Sequence, residues 1–351
     1  MGMPEVKISF QENAQNFIKR LGRGIVAVAF IGTGFSQAKV IDLAFATELD
    51  KALEDLPKES QEKVGRLVRG AFVGGARKVF AVCGKDVTAV TGALEGLRFN
   101  WLALGGLTPE DQETLATWAK QKDYTTGRTF ILLGGEGLAK AKSGHVVALE
   151  GTYTTNEKVT SAFLAGIFAG LSDRSGTFYV VDEATDGTGY ANRDQADAAI
   201  DKGLLTVFYD GEKAKIGRAV TTAYAPDKKS AYAKIRNVDT MNMIVDDIKN
   251  TFYDAYVGQV LNDYDHKMGF VGQLNQVYLK GLEGSILDPG GINKVDLDLE
   301  KHAGLAAAEG MDVSTMTDQA LRKYNTGEVV YLTGRLKLLD SMEDLYISFR
   351  I

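Results

Sequence analysis

Lys78-Val79-Phe80-Ala81-Val82-Cys83-Gly84 is a short apolar run closed by glycine, with the composition of a strand buried on both faces. The next hundred residues repeat the theme. Gly84 to Leu97 suits a helix, and Phe99 to Leu104 reads as a strand stopped by Gly105-Gly106. Thr108-Pro109-Glu110-Asp111 then opens a helix to about Lys122, with a capping Thr, Pro at the first position and acids in the first turn. Arg128 to Leu133 and Val146 to Glu150 read as strands, Thr155 to Leu171 as a helix and Thr177 to Val181 as a strand. Strand and helix alternating from about 78 to 181 predict an α/β layer with much parallel pairing.

Upstream, Ile25 to Ile31 is a second unbroken apolar run of strand composition, ended by Gly32-Thr33-Gly34. Val40 to Arg69 has a helical pattern broken at Pro57. Residues 4–20 read as detached from this body. Val6, Ile8 and Phe10 alternate with Lys7 and Ser9, the period of a half-buried strand, and Leu21-Gly22-Arg23-Gly24 punctuates the chain after them.

Downstream, Asp194 to Lys202 is a short helix ended by Gly203. Leu204–Tyr209 and Ala214–Thr222 are predicted to pair as a hairpin about Asp210-Gly211. The polar stretch Tyr224–Lys234, with Pro226, is the best candidate boundary. Helices are then predicted over 238–256, 266–282, 300–309 and 317–324, and strands over Asn293–Asp298 and Glu328–Leu339. The chain closes on another alternation, with Leu345, Ile347, Phe349 and Ile351 on one side and Tyr346, Ser348 and Arg350 on the other. The expected fold class is α/β (α+β overall): an α/β N-terminal and middle region, then a smaller α+β C-terminal domain, with extended strand arms at both ends. The expected divisions are an arm over 1–21, the α/β region over 22–233 with a possible split near 90, the C-terminal domain over 234–340, and an arm over 341–351.

Composition bounds the function. At 351 residues, 45% hydrophobic and 25% charged, the chain can bury a sizeable core. A net charge of −6 with both signs dispersed argues against nucleic-acid binding, which needs a basic face. Cys83 is the single cysteine, so neither an intrachain disulfide nor a cysteine-rich zinc site can form. The apolar runs at 25–31 and 161–171 fall short of the roughly 20 residues that cross a bilayer, so no direct membrane insertion is expected.

The search for chemistry assigns no catalytic, metal or cofactor residue. No phosphate loop or nucleophile elbow occurs, and Gly32-Thr33-Gly34 lacks the third glycine of a dinucleotide fingerprint. His145, His266 and His302 have no ligand-spaced partners. Asp265-His266 resembles an acid/base pair but opens an apolar helix, where Asp265 reads as a cap. Asp246 and Asp247, one apart on a helix, do not share a face; Asp296 and Asp298 do, as a solvated strand face. Trp101 and Trp118 read as core or interface residues and Cys83 as a buried structural thiol.

The two amphipathic ends leave two readings open. Each terminal strand can pair within its own domain, or it can add to a neighbour's sheet. Head-to-tail exchange of the second kind builds rings or helices.

A resemblance bears on that choice. From Lys234 onward the chain resembles the C-terminal domain of contractile phage tail sheath proteins of the short Gram-positive prophage kind. The residues that carry it are Ile235-Arg236-Asn237-Val238-Asp239-Thr240-Met241, Asp254-Ala255-Tyr256-Val257-Gly258-Gln259-Val260 with Asn262 and Asp265, Gly291-Ile292-Asn293-Lys294-Val295-Asp296, Asn325-Thr326-Gly327, and Leu338-Leu339-Asp340-Ser341-Met342-Glu343-Asp344-Leu345. Upstream, Lys215-Ile216-Gly217-Arg218-Ala219-Val220-Thr221-Thr222 is similar to the hairpin before that domain, and Arg23-Gly24-Ile25-Val26-Ala27 also fits. The resemblance implies a structural subunit, not an enzyme. Such a subunit polymerises as a helical sheath on an inner tail tube and contracts to drive that tube through an envelope, without a cofactor. The partners it implies are other copies of the chain, the tube protein, and the baseplate and tail terminator proteins. It further implies synthesis in the bacterial host cytoplasm and a final place in a virion or tailocin tail. Carried over, the strand-donating arms are Val6, Ile8 and Phe10 and Leu345, Ile347, Phe349 and Ile351. The recipient strands carry Val295, Leu297, Val329, Tyr331 and Leu336. Gly22, Gly24 and Ser341 are the expected hinges. The alternatives are an R-type bacteriocin (tailocin) sheath, or an α/β ligand-binding domain or enzyme with a polar pocket near Gly105 or Gly134.

Overall fold

Seven strands of the first 205 residues form one sheet: β1 (Ile25–Ile31), β2 (Lys39–Leu43), β3 (Lys78–Gly84), β4 (Trp101–Gly105), β5 (Ile131–Gly134), β6 (Val146–Leu149) and β7 (Leu204–Leu205). Their order is β2-β3-β1-β4-β5-β6-β7, with β2 antiparallel at the edge and every other pair parallel. These come from a computed structural model of the protein, which describes residues 18, 20, 22–122, 129–150, 160–171, 174–181 and 192–350. The described residues fall into two units: 22–246 with 340–350, and 247–339 with Ile18 and Arg20.

In the larger unit, helices α1 (Leu49–Leu53), α2 (Lys58–Gly74), α3 (Val87–Leu94), α4 (Pro109–Lys120), α5 (Ser161–Gly170) and α6 (Arg193–Asp201) accompany the sheet. Strand residues alternate between two cores, as a pleat requires. Val26, Val28, Phe30, Val79 and Ala81 pack with Val64 and Val68 of α2 and Leu164 and Ile167 of α5. Ala27, Ala29, Phe80 and Val82 pack with Val90 of α3 and Leu115 of α4. Burial on both faces explains the unbroken apolar runs that mark these strands in the sequence. Trp101 belongs to the first core, its ring stacked on Phe168 with centroids 5.3 Å apart.

Helices α2 and α5 meet through glycine. A Cβ on Gly74 would lie 2.2 Å from the Phe163 carbonyl oxygen, and one on Gly166 would lie 2.2 Å from that of Ala71. Backbone therefore touches backbone at this crossing. Gly75, at φ +118°, ends α2 in the left-handed conformation glycine favours.

Several expectations are corrected. Val40 lies on β2, an edge strand, and not in a helix; its alternating burial is hidden beside the helical stretch after it. Val180 makes one bridge, to Lys215, where a strand over 177–181 was expected. The hairpin about Gly211 (φ +100°) is there, as β8 (Val207–Tyr209) and β9 (Ala214–Ile216), but Leu204-Leu205 joins the large sheet instead. A split near residue 90 is excluded, because β1 lies between β3 and β4 and binds both. The unit boundary falls inside helix α7 (Ile235–Ala255), between Asp246 and Asp247, and not in the polar stretch before it. The expected strand at Val6–Phe10, residues 155–159 of the expected helix, and Arg128 lie outside the described residues.

The smaller unit takes the second part of α7. It continues through α8 (Tyr264–Gly272), a π-helical segment (Gln273–Leu279), α9 (Lys280–Leu282), β10 (Lys294–Leu297), α10 (Leu299–Ala308), α11 (Asp318–Arg322) and β11 (Leu332–Arg335). Phe252, Tyr256 and Phe270 form an aromatic cluster, with Tyr256 and Phe270 centroids 4.7 Å apart. His302 is wholly buried and its Nδ1 lies 2.8 Å from the Leu321 carbonyl, tying α10 to α11.

Candidate assembly interface

β10 and β11 pair antiparallel, with Lys294 opposite Arg335, Val295 opposite Gly334, Asp296 opposite Thr333 and Leu297 opposite Leu332. They form a two-stranded sheet. Two strands alone leave two edges, each a row of main-chain groups able to bind another chain. In an antiparallel ladder, residues alternate between directing both main-chain groups at the partner strand and directing both away. Asp298 N–H donates to the Tyr331 carbonyl, which places the inward set at 294, 296 and 298 on one strand and 331, 333 and 335 on the other. The outward set is then Val295 and Leu297 on β10 and Leu332 and Gly334 on β11.

The two edges are treated differently. Asn275, on the π-helical segment, accepts the Val295 N–H at Oδ1 (2.8 Å) and donates from Nδ2 to the Val295 carbonyl (2.8 Å). The Leu297 N–H donates to the Asp296 carboxylate, 2.8 Å away. Asp296 is itself gripped by Arg322 through two parallel bonds of 2.8 and 2.6 Å. That guanidinium holds its carboxyl down at about 2, well below the usual carboxylate value. Three of the four outward main-chain groups of β10, all but the Leu297 carbonyl, are thus occupied by side chains. Among the described residues, no hydrogen bond engages the outward groups of Leu332 or Gly334.

The five expected recipient residues therefore separate. Val295 and Leu297 lie on β10. Val329, Tyr331 and Leu336 flank β11 and are not part of it, because the expected strand over 328–339 shrinks to Leu332–Arg335. The cause is a turn: Gly327 takes φ +67°, and the Val329 carbonyl accepts from Thr326 Oγ1 (2.6 Å) and Asn262 Nδ2 (3.2 Å). Val329 instead borders a groove of about 720 Å³ that Phe252, Tyr256, Leu261 and Phe270 also line.

The C-terminal arm is the second component, and it belongs to the larger unit. Its root is pinned. Asp340 sits 3.1 Å from Lys234 Nζ, and Asn237 Nδ2 lies 3.5 Å from the same carboxylate. Thr177 Oγ1 donates to Glu343 (3.0 Å), and Arg218 pairs with Asp344 (2.7 Å) and more distantly with Glu343 (3.8 Å). The Asp344 carboxylate raises the Arg218 pKa further above its ordinary range. Ser341, expected as a hinge, thus stands between pinned neighbours. Beyond the clasp the chain runs on without strand pairing to 350. There Leu345, Ile347 and Phe349 are 83%, 62% and 83% exposed. Ile351, like Val6, Ile8 and Phe10, lies outside the described residues.

At the other expected hinge, Gly24 has φ +89° and its carbonyl accepts the Arg77 and Lys78 N–H groups (2.8 and 3.4 Å). Gly22 lies under the Arg77 guanidinium, 2.6 Å from where its Cβ would stand. Arg23 pairs with Asp239 (2.6 Å) and Asp246 (3.2 Å). Asp247 makes separate bonds, to Tyr278 (2.8 Å) and Arg20 (3.4 Å), in keeping with the two neighbours facing apart. The solvated-face reading of Asp296 is wrong: it pairs with Arg322, while Asp298 caps α10 through the Lys301 N–H. The cap near His266 is Asp263, two residues before the expected Asp265; it accepts the His266 N–H (2.9 Å) and meets Nδ1 (2.8 Å). Cys83 is fully buried, and burial pushes its thiol up to about 12.

Leucine side chains pack against the glycines that end β4 and β5. Leu67 Cδ1 lies 2.1 Å from the place of a Cβ on Gly105, and Leu138 Cδ1 lies 2.7 Å from one on Gly134.

The fold of this chain, a seven-stranded α/β body and a smaller unit with a two-stranded sheet, is shared with solved sheath proteins of contractile systems. The sheath of the anti-feeding prophage, solved as a contracted helical assembly, superposes with a TM-score of 0.68 at 12% identity, covering 100% of this chain and 99% of that one. The sheath tail protein of Desulfitobacterium hafniense gives 0.61 at 16% identity, over 84% of this chain and 94% of that one. In sequence, the chain is 27% identical over 370 residues to the tail sheath protein of Clostridium phage phiCD119, spanning 100% of this chain and 99% of that protein. No family model matches the chain. The resemblance carried by the C-terminal motifs thus extends end to end.

Proposed function

We propose that this chain is the structural subunit of a contractile tail sheath, polymerising as a helical tube around an inner tail tube. The observation that carries the reading is the C-terminal tail. An alternating apolar segment at 345–349 stands exposed while the carboxylates just before it are pinned to their own subunit. Exposed apolar side chains and unpaired main chain favour addition to another sheet. A segment rooted on one copy and docked on the next gives a head-to-tail contact, which propagates into a helix. The subunit works by conformational energy stored in the extended lattice and needs no cofactor or catalytic residue. Tube, baseplate and terminator proteins are the partners this role requires. Synthesis in a bacterial host and incorporation into a virion or tailocin tail belong to the same role.

Negative-stain microscopy of purified protein tests it. The intact chain is expected to give helical tubes, and variants lacking residues 1–10 or 345–351 to give folded monomers with unchanged circular dichroism. Normal tubes from a chain lacking both segments would sink the proposal.

A further inference from the structure

Two polar side chains line the groove bordered by Phe252, Tyr256, Leu261, Phe270 and Val329, and each has an unmet need. Lys267 is only 3% exposed. Its Nζ donates to the Tyr324 carbonyl (3.3 Å) and to Thr326 Oγ1 (3.0 Å), both neutral acceptors. An ammonium carries three N–H donors, and its charge is costly to bury without an anion beside it. Among the described residues, no carboxylate forms an ion pair with Lys267. Asp263, whose charge does reach it, is committed elsewhere: it caps α8 through the His266 N–H (2.9 Å) and meets His266 Nδ1 (2.8 Å). Burial pulls the Lys267 ammonium below its ordinary pKa, and Asp263 opposes that pull.

The second side chain is Asn262. Its Nδ2 donates to the Gly327 and Val329 carbonyls (2.7 and 3.2 Å) and to Thr326 Oγ1 (3.3 Å). Those acceptors fix which way the amide points. Its Oδ1 is then a buried acceptor with no donor, a rare condition in a folded chain. Lys267 and Asn262 both bond the one Thr326 hydroxyl, so the missing anion and the missing donor belong to adjacent places.

We infer that this groove binds a small apolar carboxylate that carries an N–H or O–H donor next to its acid group. The carboxylate meets the third Lys267 N–H, the donor meets Asn262 Oδ1, and the hydrocarbon or ring lies against the cluster of Phe252, Tyr256 and Phe270. A volume of about 720 Å³ is that of a small-ligand site, apolar with a few convergent polar groups. Glu328, exposed on the same groove, disfavours a second negative charge on the ligand. All these residues belong to the smaller unit, so the inference stands apart from the sheath reading.

Calorimetric titration of the full-length protein tests it, with N-acetyl-L-phenylalanine as the probe. Saturable binding of one molecule per chain is expected. N-acetyl-L-phenylalanine amide, which lacks the charge, is expected to bind at least about tenfold more weakly, and 3-phenylpropanoate, which lacks the N–H, several-fold more weakly. Lys267→Met is expected to remove the preference for acid over amide at unchanged circular dichroism. The comparison of the three probes on the parent protein needs no variant, so it decides even if Lys267→Met does not fold. Leu261→Trp, at an exposed position on the groove, locates the binding: its emission should shift on titration where the parent's does not. No saturation by the acid, equal affinity for acid and amide or for 3-phenylpropanoate, a folded Lys267→Met that keeps the preference, or binding that leaves the Leu261→Trp emission unmoved would each overturn the inference.

Discussion

Asp296 holds two partners at once, the Leu297 N–H on its own strand and the Arg322 guanidinium on α11. Removing its charge leaves Arg322 without its bidentate acceptor. Asp296→Asn is therefore expected to lower stability by about 1 kcal/mol at neutral pH, since the pair is partly exposed. The folded-state pKa, about 2, lies below the unfolded value, so the pair's contribution is fully present above about pH 4 and is lost as pH falls through about 2. Denaturant titrations of the two proteins should thus differ at pH 7 and converge near pH 2; a constant gap across that range contradicts the assignment. None of this is visible in the sequence. Asp296 and Asp298 read there as a solvated face, because Arg322 is 26 residues away and only the α10–α11 connection returns it to the strand. Asn275 gives no signal at all, since its role depends on a π turn that no residue pattern announces.

At the scale of elements the sequence is readable wherever burial is complete. β1, β3 and β4 follow their apolar runs, and α4 begins where Thr108, Pro109 and the first-turn acids place it, with Thr108 accepting the Asp111 N–H. It fails at edges, where alternation is short or a turn intervenes, as at β2 and along 328–339. The α2–α5 crossing is equally hard to read, although its glycines stand in plain view: a helical glycine does not say what it touches. Gly74→Ala should force the helices apart against the Phe163 carbonyl and cost about 3 kcal/mol, read as a fall in thermal midpoint. Gly92→Ala, with nothing within 4 Å of its Cβ, serves as the control and should be neutral or stabilising. Equal effects at the two positions would contradict the backbone contact.

For the whole molecule, the alternation at the C-terminal end and the ordered motifs of the sheath resemblance are legible, while the anchoring of the C-terminal arm is not. Arg218 reads as part of a hairpin, yet its partners Glu343 and Asp344 lie more than a hundred residues on. Arg218→Glu should break the clasp by repulsion, leave the thermal midpoint within about 2 °C because the pairs are partly solvated, and abolish or shorten tubes. Limited proteolysis should then cut ahead of Leu345 in the variant and not in the parent. Tubes of normal length would separate the clasp from assembly. The backbone contact of Gly74 with Gly166 bears on the same machine from another side. Helices that meet through long side chains can yield as rotamers hop; at Gly74 and Gly166 no side chain stands between the two backbones to rearrange. In a sheath of the proposed kind, that crossing is a stiff point of the larger unit under load, and the exposed tail is the part with room to deflect.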